Sequence, residues 1–337
     1  MLIQHLIKFV KYFILAVLIT SFFVLVGLGI FVWTKPQVAS EIISNLIPAP
    51  AVRPLKIKGI AVLGDSQSDE YHGNDARGGI FSSNTLNWVE LLSKYRKINF
   101  GSWGYYGETR RIGYEYNWAR TGATSYSMVV SGQAEGVAKQ VESGEVNVAI
   151  IYIGANDFSP FIGDSGYTQI YNGSITDEEI IAKVNDIVAN ITSSGEIIQK
   201  GGNAKIVIVK VPDWGKHIGI QIAFPNPEQR DRVTNAIKSV NKKIDNLADK
   251  NGYVTLDPDI AYSNLVESGL KVGDHKMQMF LLNNDPKNVF LEDGVHLGTV
   301  ANGLFANEII NLLNNRFATK ISPFSNKELF ENAGIYE

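Results

Sequence analysis

The chain has 337 residues, 45% of them hydrophobic and 19% charged, with a formal net charge of -3. Such a composition suits a globular protein with a sizeable core and excludes disorder throughout. Lys and Arg are scattered rather than clustered, so no basic field favours nucleic acid, and the absence of cysteine excludes disulfides, thiolate metal sites and a Cys nucleophile.

Residues 1–11 form a short basic segment carrying Lys8 and Lys11. From Tyr12 to Trp33 every residue is apolar or small except Thr20 and Ser21, a run of about the twenty residues that a helix needs to cross a bilayer. A single transmembrane anchor over 12–33 is expected, oriented with the N-terminus inside and the bulk of the protein extracytoplasmic. The alternative is a signal cleaved near Val38-Ala39-Ser40, which would leave a secreted protein. Residues 34–55 hold Pro36, Pro48, Pro50 and Pro54 and read as a spacer.

The stretch Ile57 to Leu63 has the look of a buried strand, and it ends abruptly in Gly64-Asp65-Ser66. Further strands are expected at Val146–Ile153, Ala204–Val211 and Tyr253–Leu256. Helices are expected at Leu86–Tyr95, Asp177–Lys200 (N-cap Thr176, C-cap Gly201), Glu228–Lys250 and Thr299–Phe317. Ile- and Val-rich strands alternating with amphipathic helices indicate an α/β domain over 56–316, with a parallel sheet covered on both faces. Ligands bind such sheets beyond the carboxyl ends of the strands. Residues 70–125 crowd Gly, Asn, Trp, Tyr and Arg without a clear period, as in a long surface loop, and residues 317–337 read as a tail.

Ser66 follows the first strand directly, so its hydroxyl is expected at the carboxyl edge of the sheet where a helix begins. Nearby backbone N–H groups can stabilise negative charge there, although a serine in that place can equally be a helix cap. Of the five histidines, His5 goes with the membrane anchor, and His217 and His275 lie in polar loops. His72 and His296 each have an Asp three residues before. His72 is only six residues past Ser66 and, on a helix, would point to another face. Asp293-Gly294-Val295-His296 precedes the last helix, where chain return could bring it against the first strand. An Asp that accepts the Nδ1 proton leaves Nε2 free to take a serine proton. Asn156 directly follows the second strand and could donate its amide to an oxyanion, while Gly122 could offer an unobstructed N–H; both also fit simple turn roles.

Taken together, GDSQSD with Ser66, NWARTGATS with Gly122, YIGANDF with Asn156 and DGVH with Asp293 and His296 resemble the four blocks of the SGNH (GDSL-type) hydrolases, in the family's order. The resemblance implies a three-layer α/β/α flavodoxin-like fold. It also implies an oxyanion hole from the Ser66 and Gly122 N–H groups and the Asn156 side chain, and no metal or other cofactor. The reaction expected is cleavage of a carboxylic ester: Ser66 attacks the carbonyl, His296 takes its proton, and water releases the acyl group. A long insertion separates the first two blocks. Its Trp88, Trp103, Tyr105 and Arg120 are candidates for contacting a short-acyl or O-acetyl ester, on a glycan or a small molecule. Three other readings stay open: an acyltransferase with the same triad, a silent binding module on a membrane stalk, and a metal-dependent phosphoesterase using Asp69, His72 and Asp75. The sequence leaves oligomeric state open.

Overall fold

The computed structural model describes residues 54–108, 110–161, 166–279 and 283–336. The expected membrane span at 12–33, its basic flank and most of the spacer lie outside the described residues. Among the described residues no helix is long and apolar enough to cross a membrane. The last two spacer residues, Pro54 and Leu55, sit on the domain, where the Leu55 N–H donates to the Phe317 carbonyl at 2.9 Å.

The elements follow in chain order. Strand β1 (Ile60–Gly64) is followed by helix α1 (Trp88–Arg96), hairpin β2 (Trp103–Tyr105) and β3 (Ile112–Tyr114), and helices α2 (Ser125–Val130) and α3 (Gln133–Glu142). Next come β4 (Val148–Tyr152), α4 (Gly166–Asn172), α5 (Asp177–Gly201), β5 (Lys205–Val209), α6 (Ile218–Ala223), α7 (Pro227–Asn251) and β6 (Val254–Leu256). The chain ends through α8 (Asp259–Glu267), a small ribbon of β7 (Lys271–Val272) and β8 (His275–Lys276), α9 (Thr299–Phe317) and α10 (Asn326–Asn332).

Four strands form one parallel sheet in the order β1-β4-β5-β6. Side chains alternate across a strand, and here both faces are apolar, so the sheet is buried on both sides as a parallel sheet must be. Ile60, Val62, Val148, Ile150, Val207 and Val209 enter one core with Trp88, Leu91, Phe305 and Ile310. Ala61, Leu63, Ala149, Ile151, Ile206 and Ile208 enter the other with Val137, Ile191, Val240 and Ile244. Helices α1 and α9 therefore cover one face and α3, α5 and α7 the other, giving three layers.

Residues 116–120 run beside β1 as an irregular fifth edge. The Val62 N–H donates to the Tyr116 carbonyl at 3.0 Å, and the Trp118 and Arg120 N–H groups donate to the carbonyls of Val62 (2.8 Å) and Gly64 (3.0 Å). This pairing carries residues 121–123 to the end of β1.

Local signals explain the long helices. Thr176 accepts from the Glu179 N–H while the Glu179 carboxylate accepts from the Thr176 N–H, a capping box at the start of α5. The helix runs one residue further than expected, with Gly202 rather than Gly201 at its end. Asn226 caps α7, with Pro227 in its first turn.

Three expectations need correction. Ser66 stands in a turn, not at the start of a helix, because the Asp65 carbonyl accepts from the Ser68 and Asp69 N–H groups and closes the chain on itself. Residues 70–125 are not one open loop: besides the expected helix, here α1 with Trp88, Leu91 and Leu92 fully buried, they contain the β2–β3 hairpin. Residues 317–337 are not a loose tail, since Phe324, Leu329, Phe330 and Ala333 are core residues packed with α9.

Candidate active site

The ends of the strands gather the four sequence blocks around one cleft of about 330 Å³, walled by Ser66, Gly122, Asn156, Asp293 and His296 together with Trp214. Each arrives by a different route.

Ser66 is fixed from beneath. Gln133, fully buried at the head of α3, uses both ends of its amide on Gly64: its Oε1 accepts from the Gly64 N–H at 2.9 Å and its Nε2 donates to the Gly64 carbonyl at 3.3 Å. Asp65 then turns its carboxylate inward, accepting from the Gln67 N–H at 2.9 Å through Oδ1, while Oδ2 is buried without a hydrogen bond. Burial, opposed by that hydrogen bond and reinforced by Asp157 and Asp69, pushes the Asp65 carboxyl up to about 7.

Asp293 and His296 lie on a tight loop just before α9. The Asp293 Oδ1 accepts from the Val295 and His296 N–H groups, both at 2.9 Å, so the loop is capped by its own carboxylate. The other oxygen, Oδ2, meets His296 Nδ1 at 2.6 Å. Burial alone would raise this carboxyl, yet the His296 side chain and the two backbone N–H groups outweigh it and hold Asp293 well below the usual carboxylate range. An imidazole that donates from Nδ1 presents a lone pair at Nε2, and the His296 Nε2 is buried without a hydrogen bond. Tyr71 packs edge-on against the ring at 6.3 Å, and its hydroxyl and the Asn302 amide both donate to the Leu297 carbonyl, at 3.0 and 2.7 Å.

Sequence reasoning missed Arg77. One guanidinium nitrogen, Nη1, donates to Asp293 Oδ2 at 2.9 Å and lies 3.0 Å from His296 Nδ1, while Nη2 pairs with Asp75 at 2.9 Å. A cation is thus packed directly against the His–Asp pair. Its only signal in the sequence is the crowd of charge after Ser66, which does not reveal a partner 216 residues away.

Opposite, Gly122 has φ +80°, a left-handed conformation that glycine adopts without strain, and a side chain there would meet nothing within 4 Å. The backbone conformation, not lack of room, is what calls for glycine. The Asn156 Nδ2 donates to the Ala123 carbonyl at 2.9 Å, which ties this side chain to the loop that carries Gly122. Buried Asp157 accepts from the N–H and hydroxyl of Ser125, both at 2.8 Å, and ties the two loops together.

The remaining candidates go elsewhere. Trp88 is sealed in the core, its Nε1 donating to Ser68 at 3.3 Å, because α1 packs that face of the helix onto the sheet. Trp103 and Tyr105 are exposed on the hairpin, with Trp103 edge-on to Tyr114, and Arg120 pairs with Glu108 at 3.1 Å; none of the three lines the cleft. Its aromatic wall comes instead from Phe161 and Trp214. Trp214 follows β5 as Asn156 follows β4, so the same strand-end logic would have found it. Asp69, His72 and Asp75 are engaged separately: Asp69 accepts from the Thr121 N–H at 2.8 Å, His72 pairs with Glu90 at 2.8 Å, and Asp75 pairs with Arg77. His217 and His275 are not simply loop histidines, since their rings pack on Phe290 and Phe330 at 4.2 and 4.0 Å.

A serine and a His–Asp pair thus meet in one cleft at the carboxyl edge of a parallel sheet. The sequence matches the GDSL-like lipase/acylhydrolase family over residues 60–309, and the chain belongs to that family. No curated protein matches it. Among solved structures, a gut microbial diltiazem-metabolizing enzyme is 14% identical with a TM-score of 0.46; the alignment covers 78% of this chain, which spans only 48% of that protein's length. The phospholipase A1 of Streptomyces albidoflavus NA297 is 17% identical with a TM-score of 0.45, over 77% of this chain and 99% of that one. A carbohydrate esterase family 3 protein of Talaromyces cellulolyticus is 14% identical with a TM-score of 0.41, over 76% and 98%. Likeness at this level says nothing of substrate.

Proposed function

We propose that the protein is a serine esterase in which Ser66, His296 and Asp293 are the triad and the Ser66 N–H, Gly122 N–H and Asn156 amide form the oxyanion hole. The observation that carries this reading is the one cleft walled by all five residues from four distant segments, with an unpartnered His296 Nε2 in it. Ser66 Oγ bonds to the ester carbonyl carbon as its proton passes to His296 Nε2. The carbonyl π electrons move to oxygen, where the three donors meet the charge. Collapse expels the alcohol, which takes the proton from His296, and water, deprotonated by the same nitrogen, releases the acid and restores Ser66. Asp293, held ionised, keeps the ring oriented and stabilises the imidazolium.

A cleft of about 330 Å³ is at the small end of ligand sites, which supports a short-acyl or O-acetyl ester, on a glycan or a smaller alcohol. The apolar run at 12–33 supports a membrane-anchored protein with its hydrolase domain extracytoplasmic; sodium carbonate extraction should leave it in the membrane fraction, and release into the supernatant would overturn this placement.

The deciding test is hydrolysis of 4-nitrophenyl acetate by the detergent-purified full chain, beside Ser66→Ala, with mass spectrometry after a fluorophosphonate probe. The wild type should turn over and carry the label on Ser66, and the variant should lose roughly 10⁴-fold or more of the activity. A folded wild type that neither hydrolyses nor labels would overturn the reading.

A further inference from the structure

Beside the cleft lies a second pocket of about 90 Å³, which shares Gln67, Trp214 and Val295 with it. Its far wall, formed where β5 and β6 end, includes His217, Asp259, Tyr262 and Phe290. None of these residues takes part in the proposed chemistry.

His217 is the telling one. Its Nδ1 accepts from the Gly219 N–H at 3.2 Å, capping α6. Burial lowers the ring's basicity to about 4, so it is neutral at ordinary pH. With Nδ1 used as an acceptor, the one ring proton is on Nε2, and this buried Nε2–H has no hydrogen-bond partner. Leaving a buried donor unpaired is costly, and here the donor belongs to a residue that lines a pocket sharing three wall residues with the proposed catalytic cleft. The remaining charges bias the occupant further. Lys216 is bridged to Asp259 at 3.0 Å, and Asp213 accepts from Gly215 N–H and the Thr234 hydroxyl, so the wall carries one uncompensated negative charge and disfavours an anion.

We propose that this pocket is a specificity subsite for one arm of the ester: a short, neutral group carrying an acceptor oxygen, which takes the hydrogen bond of His217 Nε2–H. Size limits the arm, because a dry cavity of roughly 150 Å³ accommodates a benzene ring and this one offers about 90 Å³. An arm of about four heavy atoms suits that volume. Trp214, Tyr262 and Phe290 supply the apolar surface for its carbon atoms, and His217 discriminates by chemistry rather than shape. Either the acyl or the alcohol side of the ester could supply such an arm.

The inference rests on the esterase reading, and the experiment separates the two. With the full chain, kcat/KM is measured for two isosteric pairs that exchange one CH2 for oxygen. 4-Nitrophenyl butyrate against 4-nitrophenyl methoxyacetate probes the acyl side; butyl acetate against 2-methoxyethyl acetate, followed by pH-stat, probes the alcohol side. Each oxa-to-carba ratio is divided by that for alkaline hydrolysis, which removes intrinsic reactivity. The wild type should favour the oxa ester about tenfold in one of the series, which identifies the arm. His217→Phe, verified as folded by its melting curve, should bring that ratio to unity, and His217→Gln, which keeps an acceptor and a donor, should retain most of it. Wild-type ratios of unity in both series, or a preference that survives in His217→Phe, would overturn the subsite while leaving the esterase standing. Absence of both turnover and fluorophosphonate labelling on Ser66 would overturn the esterase, and the subsite with it.

Discussion

Asp65, next to the proposed nucleophile, is fully buried with one oxygen unpaired, and burial raises its carboxyl to about 7. The folded protein therefore keeps a proton that the unfolded chain gives up from about pH 4 upward, so this group's contribution to stability falls as pH rises, until the folded form also ionises near pH 7. Asp65→Asn removes that titration. Its stability relative to wild type should rise with pH between about 4 and 7, by up to about 1.4 kcal/mol per unit, and level off above; denaturant unfolding at several pH values reads this directly. A flat difference would mean that Asp65 is ionised in the fold. Arg77 braces the neighbouring pair, its guanidinium reaching both Asp293 and His296. Arg77→Gln should lower kcat for 4-nitrophenyl acetate about tenfold by loosening the geometry of that pair, and an unchanged kcat would show that Arg77 does not hold the pair in place.

Among the elements, those that hold the site are strand ends rather than helices. Ser66, Asn156, Trp214 and Asp259 follow β1, β4, β5 and β6 respectively, so the parallel topology alone brings them to one edge. What sets the height of Ser66 above that edge is Gln133 on α3, clamped to Gly64. Gln133→Leu would leave the Gly64 N–H without its acceptor in the interior, while the Gly64 carbonyl keeps the Arg120 N–H. A loss of roughly 1–3 kcal/mol is expected, together with a fall in kcat for 4-nitrophenyl acetate that exceeds any change in KM. A variant equally destabilised but unchanged in kcat would separate the clamp from catalysis.

For the molecule as a whole, the two sides of the sheet are closed differently. One is covered by α3, α5 and α7; the other relies on α1 and α9 supplemented by the C-terminal segment, whose Phe324, Leu329 and Phe330 join the same core. Leu329 is 1% exposed and packs against Gly303 of α9. Leu329→Ala should cost about 2–5 kcal/mol, and removing residues 318–337 should abolish a cooperative melting transition or yield insoluble protein. A truncated chain that melts as sharply as the full one would show the segment to be dispensable.

Much of this was legible in the order of residues, because periodicity and punctuation are local. Four apolar runs specified the four parallel strands to within about three residues, Thr176 marked the start of α5, and the four blocks picked out the residues that now wall one cleft. Other features depended on which distant segments meet. Trp88 has the same indole whether it faces a sugar or a core, and only the docking of α1 against the sheet assigned it to the core. Arg77, Gln133 and His217 carry no local signature of function: each acquires its role from a partner supplied by another element, and that meeting is decided by how the layers pack.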